Sequence, residues 1–89
     1  MAFAGNPRKY ARDIGDGYVL LTPPMLRAYD AGALRELRQA LELELRDVRG
    51  EVTPAQDLAA VQAKQRRILR LNHAHRVIQT YVVTRRISL

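Results

Sequence analysis

The two histidines of the chain, His73 and His75, lie in the stretch LRLNHAHRVIQ. His-x-His is a spacing that metal sites use when both side chains share a face. Residues two apart share a face on a strand, whereas on a helix they point about 200° apart. The chain has no cysteine, and no carboxylate lies near the pair in sequence. We therefore predict that it holds no metal ion.

Nucleophilic catalysis needs a serine, cysteine or threonine beside a histidine. The single serine is Ser88, far along the sequence from any other reactive group. The stretch GDG at residues 15–17 is too short for a phosphate-binding loop, and no dinucleotide-binding or Walker pattern is present. We expect no enzyme activity, no catalytic residue, no cofactor and no small-molecule substrate.

A basic stripe is the stronger chemical signal. On a helix, Arg66, Arg67, Arg70 and His73 fall within about 120° of one face. Such a stripe can lie along a phosphate backbone, which makes these four residues the candidate nucleic-acid contacts. The alternative is that long arginine stems cover apolar surface and keep their charged ends in water.

The charge distribution supports an anionic partner. The formal net charge is +6, and residues 51–89 carry seven basic and two acidic side chains. No acidic residue follows Asp57. Such asymmetry suggests nucleic acid or an acidic protein surface as partner. Because thirteen of the fifteen basic residues are arginine, a GC-rich genome explains the bias equally well.

The length of 89 residues predicts one small domain, which buries only about 60–65% of its unfolded surface. No disulfide can strengthen it, so stabilisation by a partner or a second copy is expected. No apolar run approaches the ~20 residues of a membrane span. The first residues lack the apolar region of a secretory signal, so we expect cytoplasmic synthesis.

The fold class predicted is mainly α, an antiparallel two-helix hairpin preceded by an extended N-terminal arm. Residues 1–22 form the arm, because Gly5, Pro7, Gly15 and Gly17 interrupt any helical period. The run GYVLLT at residues 17–22 predicts a short strand.

The hairpin itself is expected at residues 23–89. Its first helix covers about 23–49 and ends at Gly50. Because Gly32 interrupts it and Asp30 offers a second N-cap, Pro23–Tyr29 is either a short separate helix or a kinked first section. One apolar stripe along the first helix consists of Leu34, Leu37, Leu41, Leu45 and Val48.

The second helix is predicted at about 54–84. Thr53 supplies the N-cap and Pro54 the first helical position. A heptad seam then contains Val61, Ile68, Leu71, His75, Ile78 and Val82. The competing interpretation is a strand at residues 76–84, where Val, Ile, Thr and Tyr are dense. The continuous seam favours the helix.

Surplus apolar surface predicts a contact with another protein or a second copy. The candidate interface residues lie off the two stripes or on the arm: Leu43, Val77, Tyr81, Val83, Arg8, Tyr10 and Arg12. We expect the arm to reach a neighbouring subunit.

These features favour a non-enzymatic structural or assembly subunit of a larger complex, such as a phage-type virion or connector or a ribonucleoprotein-like particle. The first alternative is a nucleic-acid-binding module that uses the basic helix face. The second is a small regulator that clamps a larger protein.

Overall fold

A computed structural model describes residues 6–89, which are mainly helical. Four helices occur in this range: α1 (Pro7–Asp16), α2 (Pro23–Leu26), α3 (Ala31–Gly50) and α4 (Leu58–Thr84). The predicted mainly α class is confirmed, and no strand forms within residues 6–89, so the strand expected at residues 17–22 is wrong.

Helix α1 replaces most of the extended arm that the sequence predicted. The Asn6 side chain accepts a hydrogen bond of 2.9 Å from the Arg8 N–H, and Pro7 occupies the first helical position. Gly17 closes the helix with a φ of 91°, a left-handed conformation that suits glycine. Two of the residues interpreted as breaks, Pro7 and Gly17, are therefore the start and stop signals of a helix. Residues 1–5 of the predicted arm lie outside the described residues.

Helix α3 carries the predicted stripe. Its N-cap is Asp30, whose side chain accepts a hydrogen bond of 2.8 Å from the Ala33 N–H, as predicted. Four members of the stripe are buried and Leu45 is half-buried against them. A 3.6-residue period of large apolar side chains is thus sufficient to place this helix against the core.

Helix α4 begins later than predicted. The Asp57 side chain accepts a hydrogen bond of 3.0 Å from the Ala60 N–H and caps the helix. The Asp57 N–H instead reaches the Pro54 carbonyl at 3.0 Å, so Pro54 opens a turn and Thr53 is not the N-cap. The helix continues to Thr84, and the strand alternative for residues 76–84 is wrong. Burial of Ile78 and Val82 in the helical core outweighs the local strand preference of such residues.

Helices α3 and α4 pack against each other and run in opposite directions. Lys64 contacts the carbonyl of Glu51, and further along α4 His75 contacts Glu42, so rising numbers on α4 meet falling numbers on α3. Helix α1 packs against both of these helices, and α2 contacts α4. The result is a three-helix packing with a short fourth helix, in place of a bare hairpin.

The core joins these helices. Its largest fully buried side chains are Leu21, Leu26, Leu34, Leu37, Leu41, Leu71, Ile78 and Val48. From α1, Ala11 and Ile14 complete this cluster. No helix in residues 6–89 is both long and apolar enough to cross a membrane.

Candidate functional site

The two histidines of α4 have different surroundings. His75 is half-buried, and its Nε2 lies 3.4 Å from Oε1 of Glu42 on α3. His73 is exposed on the side of α4 that faces residues 17–23. Within residues 6–89, no group of three or more His, Cys, Asp or Glu side chains could hold a metal ion. The expected absence of a metal site stays a prediction.

The predicted basic stripe is divided by the fold. Arg67 turns towards the protein, where its Nη1 lies 2.9 Å from Glu51 and its Nε lies 3.7 Å from Asp16. Its Nη2 is 3.9 Å from Glu44. The charge of Arg67 is thus matched by carboxylates from three other segments, which leaves little of it for a phosphate.

The other members of the stripe remain at the surface. Arg70 donates a hydrogen bond of 3.2 Å from Nη1 to the carbonyl of Gly15. That acceptor is neutral, so the positive charge of Arg70 is not compensated by it. Arg66 and His73 are exposed.

Two arm residues that were interface candidates contact other parts of their own chain. Arg8 reaches α3, with Nη2 at 2.8 Å from Asp47 and 3.2 Å from Glu44. The hydrogen bonds to Asp47 and to Glu44 raise the pKa of the Arg8 guanidinium. Tyr10 is half-buried against the core, and burial, together with the neighbouring Tyr29, raises the pKa of its hydroxyl.

The remaining interface candidates differ in how far they are exposed. Val77 and Tyr81 are half-buried and pack against the core of their own chain. Leu43 is half-buried, whereas Arg12 and Val83 are exposed. Part of the surface expected to be surplus is therefore covered within the chain itself.

A groove between residues 17–23 and α4 is the site that the sequence did not reveal. It has a volume of about 270 Å³. Its apolar lining consists of Ile14, Val19, Leu20, Leu21, Leu69 and Ala74. Two of these lining side chains are large and exposed, Leu20 at 68% and Leu69 at 67%, and Tyr18, close to Leu20 in sequence, is 82% exposed. The one sequence signal was Leu69, an apolar residue off the heptad seam between arginines.

The groove continues along α4 as a furrow. A second hollow, of about 210 Å³, shares His73 with the groove, and a third, of about 240 Å³, shares Pro23 and Thr80 with the second. We call these three hollows together the α4 furrow. Its cationic lining residues are Arg27, Arg70, Arg76 and Arg85, and no carboxylate of the described residues lines it.

The carboxylates of the protein are occupied elsewhere. In the described range, eight of the nine acidic side chains cap a helix or contact a basic side chain, and Glu36 alone does neither. Within residues 6–89, no carboxylate therefore neutralises the positive charge along the α4 furrow.

Comparisons with protein families, with curated proteins and with solved structures give no match for this chain.

Proposed function

We propose that the protein is a small non-enzymatic subunit that binds another protein chain through the α4 furrow, within a larger assembly. The observation that carries this proposal is the pair of exposed apolar side chains, Leu20 and Leu69, that line one groove. Scattered exposed leucines are ordinary, but a continuous apolar patch with a polar rim is typical of an interaction site.

The free energy of burying apolar side chains favours a furrow that is covered by a partner. Full burial of a leucine side chain contributes about 1.5–3 kcal/mol relative to full exposure. Leu20 and Leu69 are both about two-thirds exposed, so most of this contribution is still available to a partner. The buried core, by contrast, is complete without them, which indicates that these leucines are not needed to fold the chain.

Native mass spectrometry of the protein, recovered with an affinity tag from the cell that encodes it, tests the proposal. We expect a complex that contains at least one further protein chain in a fixed ratio. A matched preparation carrying Leu69→Ser should lose that chain, whereas Leu58→Ser, on the same helix and 66% exposed, should retain it. Recovery of the wild-type protein as a lone monomer would contradict the proposed function.

A second candidate function, nucleic-acid binding, has one observation in its favour. Arg66 and Arg76 are exposed on a helix without a single acidic residue. Phosphate contacts by such side chains would make affinity fall steeply as salt rises.

Fluorescence anisotropy with labelled single-stranded and double-stranded oligonucleotides tests this candidate. The double change Arg66→Ala and Arg76→Ala should weaken binding and reduce its salt dependence. The double change Arg35→Ala and Arg49→Ala on α3 is the control, because it removes equal charge elsewhere on the protein. Binding that is unaffected by the α4 pair, or absent at low salt, excludes this use of the helix.

A further inference from the structure

We propose that the α4 furrow binds an acidic segment of a different protein, with one bulky apolar side chain of that segment seated between Leu20 and Leu69. Carboxylates on either side of this anchor would meet the arginines of the furrow. The inference rests on the proposed function and specifies the chemistry of the partner.

The dimensions suit a protein segment. Each of the three hollows, at about 270, 210 and 240 Å³, is smaller than the roughly 300–1,000 Å³ typical of small-molecule sites. The furrow runs along α4 from Leu69 to Thr84, a length of about 22 Å at 1.5 Å per residue. This matches about four turns of a helix, or about seven residues of extended chain.

The charge of the furrow selects an acidic occupant. Arg76 is exposed and has no carboxylate partner in the described range, and Arg70 contacts only the Gly15 carbonyl. At the far end, Arg85 lies over the ring of Tyr81, with its guanidinium carbon 5.5 Å from the ring centre. With no acid in the lining, a basic or neutral segment would leave these charges unmatched, whereas an acidic one complements them.

A second copy of this chain is a poor occupant. In a two-fold dimer the same patch meets itself, so arginines would face arginines. Among the acidic side chains of residues 6–89 on a second copy, Glu36 is the one that neither caps a helix nor contacts a basic side chain. An acidic segment of a different chain therefore complements the furrow better than a second copy does.

The lining also favours protein over nucleic acid. Single-stranded nucleic acid is usually held by aromatic side chains on which bases stack. The groove is instead lined by aliphatic side chains such as Val19, Leu20 and Leu69. Tyr81 lines the far end of the furrow, but it is half-buried and its ring already lies under Arg85. Aliphatic walls complement an aliphatic or aromatic anchor side chain rather than a stack of bases.

Selection of binders from a random displayed library, with peptides of about 15 residues to match a helical occupant, tests the inference. The full-length protein is the target. We expect enriched peptides to combine one bulky apolar residue with flanking Asp or Glu. Synthetic copies of the enriched peptides, measured by fluorescence anisotropy, should bind the Leu69→Ser protein about tenfold more weakly and the Leu58→Ser protein about as tightly as the wild type.

A second matched pair of variants tests the contribution of charge to peptide binding. Arg76→Glu in the furrow should weaken peptide binding more than Arg35→Glu on α3, although both variants change the net charge equally. Circular dichroism of each variant checks that the fold is retained, as expected for exposed positions.

Three outcomes would overturn the inference: enriched peptides without acidic residues, no enrichment relative to Leu69→Ser protein, or an oligonucleotide that binds in the furrow more tightly than the peptides. Each leaves the proposed function standing if the native complex still contains a second protein chain. Loss of both the native complex and the peptide binding contradicts both proposals.

Discussion

Arg8 and Glu44 lie 36 residues apart in sequence, yet Nη2 of Arg8 contacts Oε1 of Glu44 at 3.2 Å. Glu44 is the buried acidic residue of the described range, with 6% of its surface exposed. The contact joins α1 to α3. The same nitrogen of Arg8 donates a second hydrogen bond, of 2.8 Å, to Oδ2 of Asp47. The nearest cationic partner of the buried Glu44 carboxylate therefore lies on α1, a segment that the sequence had predicted to be an extended arm.

The first prediction concerns this contact. Arg8→Met keeps the apolar stem but removes the charge, leaving Glu44 with Arg67 at 3.9 Å as its remaining partner. We expect a loss of about 1–2 kcal/mol in the free energy of unfolding, since a buried charged acceptor loses its best donor. Urea denaturation followed by circular dichroism measures this loss.

Lys9→Met is the matched control, because Lys9 pairs with Asp13 at 3.3 Å while 73% of its side chain is exposed. That surface pair should contribute under about 0.5 kcal/mol. Equal losses in the two variants would show that Arg8 does not hold α1 in place.

The second prediction distinguishes two N-caps of α4. Asp57→Ala removes the acceptor for the Ala60 N–H and should reduce the free energy of unfolding by about 1 kcal/mol. Thr53→Ala should cost much less, because Thr53 lies before the turn and caps no helix. Thermal and urea unfolding of both variants provide the comparison, and a larger loss for Thr53→Ala would place the helix start at Pro54.

The third prediction concerns two neighbouring glycines with opposite requirements. Gly15 lies within α1, and an added Cβ would meet Leu71 at 3.5 Å, an ordinary contact. Gly15→Ala should therefore stabilise the protein by up to about 1 kcal/mol through helix propensity.

Gly17→Ala, by contrast, should destabilise the protein. Gly17 has a φ of +91°, and an added Cβ would lie 3.0 Å from Cζ of Arg70. We expect a loss of about 1–2 kcal/mol, since a side chain disfavours this left-handed conformation. Melting temperatures of the two variants give the signs directly, and two changes of the same sign would contradict the proposed end of α1.

The fourth prediction is a pH dependence at the start of α3. The hydrogen bond from the Ala33 N–H lowers the pKa of the Asp30 carboxyl. Because the folded-state pKa lies below the unfolded one, the ionised cap stabilises the fold above the unfolded pKa. This contribution should disappear as pH falls below about 4, through the folded pKa.

Asp30→Asn provides the comparison, since asparagine caps without charge. The difference in unfolding free energy between wild type and Asp30→Asn should shrink as pH falls from about 6 to 3. NMR titration of the Asp30 carboxyl gives its pKa independently. A difference that stays constant across this range would show that the charge of Asp30 does not contribute.

Periodicity alone determined the parts of the fold in which local pattern and packing agree. The stripe from Leu34 to Val48 placed α3, and the seam through Ile78 and Val82 placed the end of α4 at Thr84. Asp30 was identified as a cap because a short polar side chain before an apolar period satisfies free helix N–H groups in any context. The absence of acidic residues beyond Asp57 was likewise readable from the sequence.

Tertiary structure alone decided what α1 does and where the furrow lies. A helix of ten residues is marginal in isolation, so Pro7–Asp16 depends on the burial of Ala11 and Ile14 against α3 and α4. Arg67 leaves the predicted stripe because carboxylates from three other segments meet it. Leu20 and Leu69 form one groove although 49 residues separate them. Such proximity arises from long-range packing, and no local sequence period encodes it.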